Sequence, residues 1–289
     1  MLPDKEVRLY VQKLAGIALT GDVSVQILVF LHGAGSNGKS VFANAVKYVL
    51  GPDYARQAAP GLLLKSRGDR HPTEVADLYG ARLVVSTEID DGRELAEALV
   101  KQTTGGDELK GRFMHRDFFG FQPTHKTWLL ANHRPTVRGT EEAIWRRVKL
   151  VPFEVTIAES DRDEHLGEKL QAEAAGILNW MIEGCLQWQR EGSLTDPDAV
   201  RAAVEEYRAD SDALAPFIDE CCDLGPANTA RAGALYRAYK SWAMVSSISE
   251  RETLTQKRFG SLMNSDRRLE REKKASGWFY HGIAEKPDW

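Results

Sequence analysis

The stretch Gly33-Ala34-Gly35-Ser36-Asn37-Gly38-Lys39-Ser40 lies between an apolar run, 25–31, and a segment with the apolar spacing of a helix, 40–50. The eight residues match the pattern G-x-x-x-x-G-K-[ST] in full, and a strand before it and a helix after it are the context that this motif requires. Glycines let backbone N–H groups turn inward around an anion, and the N-terminus of the helix adds the positive end of its dipole. The stretch therefore predicts a phosphate-binding loop.

A phosphate-binding loop of this kind predicts ATP and Mg²⁺ as the cofactors. We expect the ammonium of Lys39 to reach the β and γ phosphates and the hydroxyl of Ser40 to ligate Mg²⁺. The alternative is a glycine-rich turn without a ligand, which the preceding strand disfavours. The residues expected to hold the nucleotide form one continuous run: Gly33, Ala34, Gly35, Ser36, Asn37, Gly38, Lys39, Ser40 and Val41.

Apolar runs alternate with segments of helical spacing along most of the chain. This alternation favours a parallel α/β core. The composition changes near 192–197, after which short helices and a β-ribbon are predicted. We predict strands at 25–31, 81–87, 126–131 and 148–153, helices at 4–20, 40–50, 93–100 and 162–190, and the ribbon around 278–281.

The composition is that of an ordinary soluble protein. Of the 289 residues, 43% are hydrophobic and 28% charged, which is enough to form a sizeable core. The longest apolar run, 27–31, is far too short to span a membrane, and the N-terminus lacks the basic start and apolar core of a signal peptide. The three cysteines include no C-x-x-C motif. We therefore expect a cytoplasmic protein with reduced thiols and no membrane partner.

Acidic residues follow the second predicted strand, at Glu88 and Asp90. Carboxylates at the carboxyl end of a buried strand can hold Mg²⁺ or polarise an attacking water. Glu88 is the first candidate for positioning the water, and Asp90 is the second, through the metal. The predicted metal ligands are therefore Ser40, Glu88 and Asp90.

Basic residues concentrate in one part of the chain. The formal net charge of −4 gives no global indication of a nucleic-acid partner, but only three acids oppose the basic residues between positions 110 and 147. Such a run can bind nucleic acid or form a solvated face. The basic residues are Lys110, Arg112, Arg116, Lys126, Arg134, Arg138, Arg146 and Arg147.

Four further motifs follow the acidic strand end in a fixed order: TGGD at 104–107, FGFQPT at 119–124, WLLANHRP at 128–135 and GTEEAIWRR at 139–147. Together with the phosphate loop and the acids at 88–92, they resemble the superfamily 3 helicase domain of phage and plasmid primase-helicases. The poxvirus primase-helicase is a more distant relative of the same kind. The resemblance covers residues 5–155, and a looser one extends from about 210 to 283.

The resemblance implies roles for three polar residues. Asn132 resembles the sensor that reads the γ-phosphate and orients water, although an asparagine there can also cap the exit of a strand. Arg146 and Arg147 resemble the arginine-finger region, which stabilises transition-state charge on the ATP of a neighbouring subunit. The resemblance does not choose between the two arginines, and the other can serve only to pair with an acid.

The segment 107–122 corresponds to the part of this superfamily that carries a DNA-contacting hairpin. Its basic residues lie beside Phe113, Phe118 and Phe119, and this combination suits a single-stranded backbone with stacked bases. The alternative is that the phenylalanines form the core, which we expect for Phe119 and Phe121. The predicted DNA-binding residues of the segment are Lys110, Arg112, His115 and Arg116.

The end of the chain resembles the winged-helix tail of the same primase-helicases. A helix at 235–242, a second at 255–263 with Thr255 near its N-cap, and a wing over 267–283 make up the likeness. Lys257 and Arg258 would lie at the start of a recognition helix and contact DNA. A winged helix that contacts protein is the alternative.

The fold class that we expect is α/β, a P-loop NTPase (AAA+-like) core with a parallel sheet and flanking helices, plus a small C-terminal winged-helix domain. The expected divisions are an N-terminal remnant of a helical collar at 1–24, the ATPase core at 25–155, a helical lid or connector at 156–205 and the winged helix at 206–289.

The function that we expect is an ATP-dependent DNA helicase of phage or plasmid replication. By resemblance it is a homo-hexameric ring that moves 3′ to 5′ on single-stranded and forked DNA, with a separate primase as a candidate partner. A small-molecule kinase would need a substrate lid and would not need Asn132 or the two arginines. A replication initiator or DNA-binding adaptor, whose ATPase only controls assembly, is the second alternative.

Overall fold

A computed structural model describes residues 1–66, 71–88, 92–138, 142–249, 253–266 and 268–287, with only the backbone of Glu88 and Ser265. Asp90 lies outside the described residues. The chain divides into two compact units, Met1–Arg208 and Ala209–Trp289. Within these ranges no helix has the length and apolar character needed to cross a membrane.

The first unit is built on a five-stranded parallel sheet. Its strands are β1 (Leu28–His32), β2 (Ala55–Gln57), β3 (Leu83–Glu88), β6 (Lys126–Ala131) and β7 (Val148–Pro152), in the order β2-β3-β6-β1-β7. Two short strands, β4 (Leu109–Gly111) and β5 (Phe119–Phe121), form a separate antiparallel hairpin. The expected α/β class with a P-loop NTPase-like core is confirmed.

Helices cover both faces of this sheet. They are α1 (Lys5–Ile17), α2 (Lys39–Tyr54), α3 (Pro72–Ala76), α4 (Glu97–Gly105), α5 (Glu142–Trp145), α6 (Leu166–Ala172), α7 (Ala174–Glu191) and α8 (Asp198–Asp210). Alternate residues of a strand point to opposite faces. Val29 and Leu31 of β1 therefore pack with α1, α2 and α7, while Leu28 and Phe30 pack with α4, α5 and α8.

Helices α1 and α7 cross at two glycines. A Cβ atom on Gly16 would lie 2.3 Å from the backbone nitrogen of Cys185, and one on Gly184 would lie 2.3 Å from the carbonyl oxygen of Gln12. The side chain of Asp4 caps α1 by accepting from the backbone N–H groups of Glu6 and Val7. The helix therefore begins at a defined residue and packs, backbone against backbone, into the core of the first unit.

Three helix boundaries differ from those predicted from the sequence. The helix predicted at 93–100 begins only at Glu97, because Glu94 and Leu95 form β-bridges with Thr136 and Leu64. The segment predicted as one helix at 162–190 forms two, α6 and α7, which meet at Glu173. The sequence Gly51-Pro52 predicted the end of helix α2. The helix is interrupted at Gly51 (φ 72°, ψ 172°), but one more helical turn follows. Long-range backbone pairing overrides local periodicity in the first case.

The second unit contains three helices and a three-stranded antiparallel sheet. Its elements are α9 (Ala215–Cys221), β8 (Cys222–Arg231), α10 (Ala232–Val245), α11 (Gln256–Ser265), β9 (Glu270–Lys274) and β10 (Gly277–Glu285), with strand order β8-β10-β9. The predicted N-cap is confirmed, since the hydroxyl of Thr255 accepts from the backbone N–H of Arg258. Phe217, Tyr239 and Phe259 lie at the centre of its core.

The α1–α7 crossing predicts opposite effects of the same substitution at two glycines of α7. Gly184→Ala places a methyl group against the carbonyl of Gln12 and should lower the free energy of unfolding by about 1–3 kcal/mol. Gly176→Ala meets nothing within 4 Å and should raise it by up to about 1 kcal/mol, because alanine restricts the unfolded chain. Urea denaturation followed by circular dichroism measures both. Equal effects would contradict the close backbone approach.

Candidate functional site

The loop between β1 and α2 is shaped by residues with positive φ. Gly33, Gly35 and Gly38 have φ of 154°, 92° and 87°, and Ser36 has φ of 48°. A Cβ atom on Gly33 would lie 2.1 Å from the carbonyl oxygen of Phe153. Only glycine tolerates this position, which brings the start of the loop against the chain that follows β7.

Lys39 is buried at the end of this loop, where three oxygen atoms hold its ammonium group. Its Nζ donates to the carbonyl oxygen of Gly33 at 2.6 Å, to Oδ1 of Asn37 at 3.0 Å and to Oδ1 of Asn132 at 3.1 Å. Burial lowers the pKa of Lys39. The interactions fix the position of a cation that a phosphate group could then recruit.

Asn37 and Ser36 anchor the loop to the chain after β7. The side-chain amide of Asn37 donates to the carbonyl oxygen of Phe153 at 2.7 Å, and the backbone N–H of Ile157 donates to the carbonyl oxygen of Ser36 at 2.8 Å. Asn37 therefore bridges Phe153 and Lys39. The sequence pattern places no requirement on this position, so its structural role was not predicted.

The sheet register brings the predicted polar residues to the same edge. Strand β6 lies between β1 and β3, and Ala131 pairs with His32 on one side and Glu88 on the other. Asn132 follows directly, next to Lys39. The backbone of Glu88 is at this edge. The roles predicted for its carboxylate and for Asp90 concern groups outside the described part of the chain and stay predictions.

Arg134 and His32 lie near the same site, and the sequence analysis did not assign them to it. Arg134 forms an ion pair with Glu206 at 3.0 Å and stacks near the ring of Tyr207. His32 is half-buried, and burial, followed by the charges of Arg134 and Lys39, lowers its pKa. The sequence did contain signals for both residues. His32 directly precedes the loop, and Arg134 lies within the motif at 128–135. The charges of Arg134 and Lys39 favour an anionic ligand.

The adjacent arginines Arg146 and Arg147 have different surroundings. Arg147 is buried, and its guanidinium donates to Thr104 Oγ1 at 3.2 Å, to the carbonyl oxygen of Ala143 at 2.7 Å and to Gln26 Oε1 at 2.6 Å. Burial lowers the pKa of Arg147, and the charge of Arg146 lowers it further. Arg146 is exposed. The side chain of Arg147 is thus bound within its own chain, whereas that of Arg146 is accessible.

Both arginines lie at the amino end of β7, whereas the loop lies at the carboxyl ends of the strands. They precede β7, whose last residue, Pro152, pairs with His32 beside the loop. A five-residue strand spans roughly 16 Å. The structure therefore does not bring these arginines together with Lys39 within one chain.

The hairpin β4–β5 presents most of the predicted DNA-binding residues. Lys110, His115 and Arg116 are exposed, as are the rings of Phe113 and Phe118. The guanidinium of Arg112 lies 4.8 Å from the centre of the Phe118 ring, and Phe113 stacks on Phe119 at 5.3 Å. Phe121 is buried, as predicted, whereas Phe119 is only half-buried.

The run of basic residues between 110 and 147 is not one continuous surface. Lys126 is buried like Arg147, and its Nζ donates to the carbonyl oxygen of Val25 at 2.6 Å. Burial lowers the pKa of Lys126 to about 8. These two side chains pack in the interior, and the exposed basic groups of the hairpin form the candidate DNA surface.

In the second unit, Lys257 is exposed and Arg258 half-buried in the first turn of α11. An aromatic and basic cluster that was not predicted lies on the β9–β10 ribbon. The guanidinium of Arg271 lies 3.7 Å, and the ammonium of Lys273 5.8 Å, from the centre of the partly exposed Trp278 ring. Cross-strand pairing between β9 and β10 created this cluster, and only the three-dimensional register reveals it.

Among the described residues, no group of three or more His, Cys, Asp or Glu side chains could hold a metal ion. The predicted magnesium ligands Glu88 and Asp90 contribute no described side chain. Ser40 is the second residue of α2, directly after Lys39, which is where a hydroxyl could contact a metal ion bound to phosphates.

The chain is similar to several known proteins. Residues 31–147, from the end of β1 to Arg147, match a family of unknown function (DUF5906). The chain is 29% identical to a protein of Acanthamoeba polyphaga mimivirus over 75% of its own length and 24% of that protein's. It is also 24% identical to a protein of Frog virus 3, over 86% of the chain and 27% of that protein. A protein of Invertebrate iridescent virus 3 is 24% identical over 97% of the chain and 33% of that protein. All three carry the name "putative helicase".

The chain therefore spans about a quarter to a third of the length of the viral proteins that it matches. In fold it is similar to the C-terminal region of NrS-1. The apo structure of NrS-1 residues 305–718 superposes with a TM-score of 0.54 at 10% identity, over 97% of this chain and 72% of that one. The A form of the same region gives a TM-score of 0.52 at 11% identity. The structural comparison supports the fold.

The contrast between the two arginines predicts different effects on stability. Arg147→Ala leaves Gln26 and Thr104 without their buried partner and should lower the free energy of unfolding by about 2–4 kcal/mol. Arg146→Ala removes an exposed side chain and should change it by no more than about 0.5 kcal/mol. Thermal and urea unfolding of the two variants provide the comparison. An equal loss in both would show that Arg146 is also structural.

Proposed function

We propose that the first unit binds ATP with Mg²⁺ and hydrolyses it. The support is the position of Lys39 Nζ, which is shared by the loop and by Asn132 at the end of the neighbouring strand. A γ-phosphate bound to Lys39 would lie within reach of the Asn132 amide, which could then orient an attacking water. Ser40, Glu88 and Asp90 are the proposed ligands of Mg²⁺. Glu88 is the first candidate for positioning that water, and Asp90 is the second, through the metal.

We propose further that Arg146 completes the site of a neighbouring subunit. Its exposed side chain and its position about one strand length from its own loop support action in trans. Arg147 would fix the backbone next to Arg146 through its three hydrogen bonds. The assembly that follows is a homo-oligomeric ring, for which we propose a hexamer.

We propose that hydrolysis drives the unwinding of DNA during replication of a phage, plasmid or viral genome. The observation that carries this function is the combination, in one chain, of a nucleotide loop with a sensor and an exposed arginine at the opposite sheet edge. A small-molecule kinase needs neither the sensor nor the exposed arginine. The exposed hairpin beside this core and the helicase names of the viral relatives support DNA as the substrate.

The proposed partners are single-stranded and forked DNA, with movement 3′ to 5′, and a primase on a separate chain. The single strand would contact the hairpin at Lys110, Arg112, His115 and Arg116, where Phe113 and Phe118 offer exposed rings for base stacking. For the second unit, whose elements run α9-β8-α10-α11-β9-β10, we propose a winged helix. Lys257 and Arg258 of α11, together with Trp278 of the β-ribbon, would contact the duplex.

An ATP-dependent strand-displacement assay on a forked substrate tests the function. The protein should separate the strands, and Lys39→Ala should abolish hydrolysis and unwinding together.

Asn132→Ala should keep ATP binding but lose turnover by about a hundredfold, as for other preorganised donors. Asn132→Asp should weaken ATP binding by about tenfold, because its carboxylate competes for the Lys39 ammonium. Hydrolysis without strand separation would instead identify an initiator or adaptor whose ATPase controls assembly.

The hairpin predicts a salt-dependent affinity for single strands. If Lys110, Arg112 and Arg116 contact phosphates, replacing all three by alanine should reduce the slope of log K against log salt by about 2, since each contact contributes roughly 0.7. The matched control replaces three basic residues of the first unit that lie outside the hairpin, Arg162, Lys169 and Arg190. Fluorescence anisotropy with a labelled oligonucleotide gives both slopes. Equal slopes would place the hairpin on a solvated face.

A further inference from the structure

The exposed arginine Arg146 extends from a helix that cannot be stable alone. Helix α5, Glu142–Trp145, is a single turn, and isolated helices of this length do not form in water. The backbone N–H of Arg146 donates to the carbonyl oxygen of Glu142 at 3.0 Å and closes the turn. The position of Arg146 therefore depends on the contacts that α5 makes with other elements.

The core holds the C-terminal end of α5. Arg147 donates to the carbonyl oxygen of Ala143, and its own carbonyl oxygen accepts from the backbone N–H of Leu28 in β1 at 2.8 Å. Ile144 and Trp145 are buried against the same face of the sheet. The contacts of Ile144, Trp145 and Arg147 lie on the inner side of the turn. The outer side, around Glu142, contacts another element.

Two consecutive residues of α8, Tyr207 and Arg208, supply that second support. Arg208 forms an ion pair with Glu142 at 3.0 Å, and its guanidinium lies 6.0 Å from the centre of the Trp145 ring. Tyr207 is buried, and its ring meets Trp145 edge-on at 5.3 Å and stacks on Phe30 at 6.0 Å.

The same turn of α8 also contacts the loop that follows Asn132. The Tyr207 hydroxyl donates to the carbonyl oxygen of Pro135, and Glu206 forms an ion pair with Arg134 at 3.0 Å. One turn of helix thus connects the exit of the sensor strand to the outer side of the turn that carries Arg146.

We propose that this last turn of α8 positions Arg146, with Tyr207 and Arg208 as its positioning residues. The inference rests on the proposed function, in which Arg146 acts on the ATP of a neighbouring subunit. Neither positioning residue touches the nucleotide in this arrangement. Loss of the Arg208–Glu142 pair should allow the outer side of α5 to move, so that a subunit binds ATP normally but donates a misplaced arginine.

The variant Arg208→Gln tests the proposal against a matched control on the same helix. Arg201→Gln removes another exposed arginine, which contacts Asp198 of α8 and the carbonyl oxygen of Asp196 just before it and forms no hydrogen bond or ion pair with the described residues of α5. Arg208→Gln should lower ATP turnover about tenfold or more, and its affinity for a fluorescent ATP analogue and its melting temperature should match those of Arg201→Gln. Equal turnover in the two variants would overturn the proposal.

Mixing experiments separate positioning from a general structural defect. Arg208→Gln keeps an intact phosphate loop, so mixing it with Lys39→Ala, which donates a correctly placed Arg146, should restore part of the activity. Mixing it with Arg146→Ala should restore none, because the only arginine available is the misplaced one. Restoration in both mixtures, or in neither, would contradict a positioning role.

Two further samples make the outcome decisive. The mixture of Lys39→Ala with Arg146→Ala must regain activity if Arg146 acts in trans, and its failure would refute the proposed function rather than the role of α8. The exchanged variant Glu142→Arg with Arg208→Glu should regain turnover by restoring the ion pair. If Arg208→Gln fails to fold, Glu142→Gln breaks the same pair from an exposed position and should show the same pattern in the mixtures.

Discussion

The interaction on which the candidate site depends is the group of three hydrogen bonds to the buried ammonium of Lys39. A buried cation is costly unless its protons are satisfied, and Gly33, Asn37 and Asn132 satisfy them. All three acceptors are neutral oxygens, which a phosphate oxygen can replace with a stronger, charge-assisted bond. The same arrangement keeps Lys39 positioned and makes an anion its preferred partner.

The parallel sheet separates two chemical tasks. Carboxyl ends of parallel strands meet at one edge, so β1, β6 and β3 bring Lys39, Asn132 and the backbone of Glu88 together there. The chain then crosses back before β7 begins, which carries Arg146 to the other edge. Under the proposed function, Arg146 would therefore act on the site of a second copy.

Much of the fold could be predicted from the sequence, because apolar runs and helical spacing are local signals. The strands at 126–131 and 148–153 and the N-cap at Thr255 are examples. Contacts between distant residues left no such signal. The bond between Lys39 and Asn132 joins residues 93 positions apart, and the cluster of Arg271, Lys273 and Trp278 arises from strand pairing. The roles proposed for the acids at 88 and 90 stay predictions.

The pair Arg146-Arg147 shows how burial can distinguish residues with the same chemistry. Two adjacent guanidinium groups repel each other, and the nearby charge of Asp107 offsets part of that repulsion at Arg147. A buried arginine is tolerated only when hydrogen bonds satisfy its rigid, planar donors, and Thr104, Ala143 and Gln26 provide them. A side chain fixed in this way cannot extend to another subunit, but it can fix the backbone of its neighbour. The buried arginine and the last turn of α8 then hold α5 from two sides, and the accessible arginine emerges from a short turn with little freedom to move.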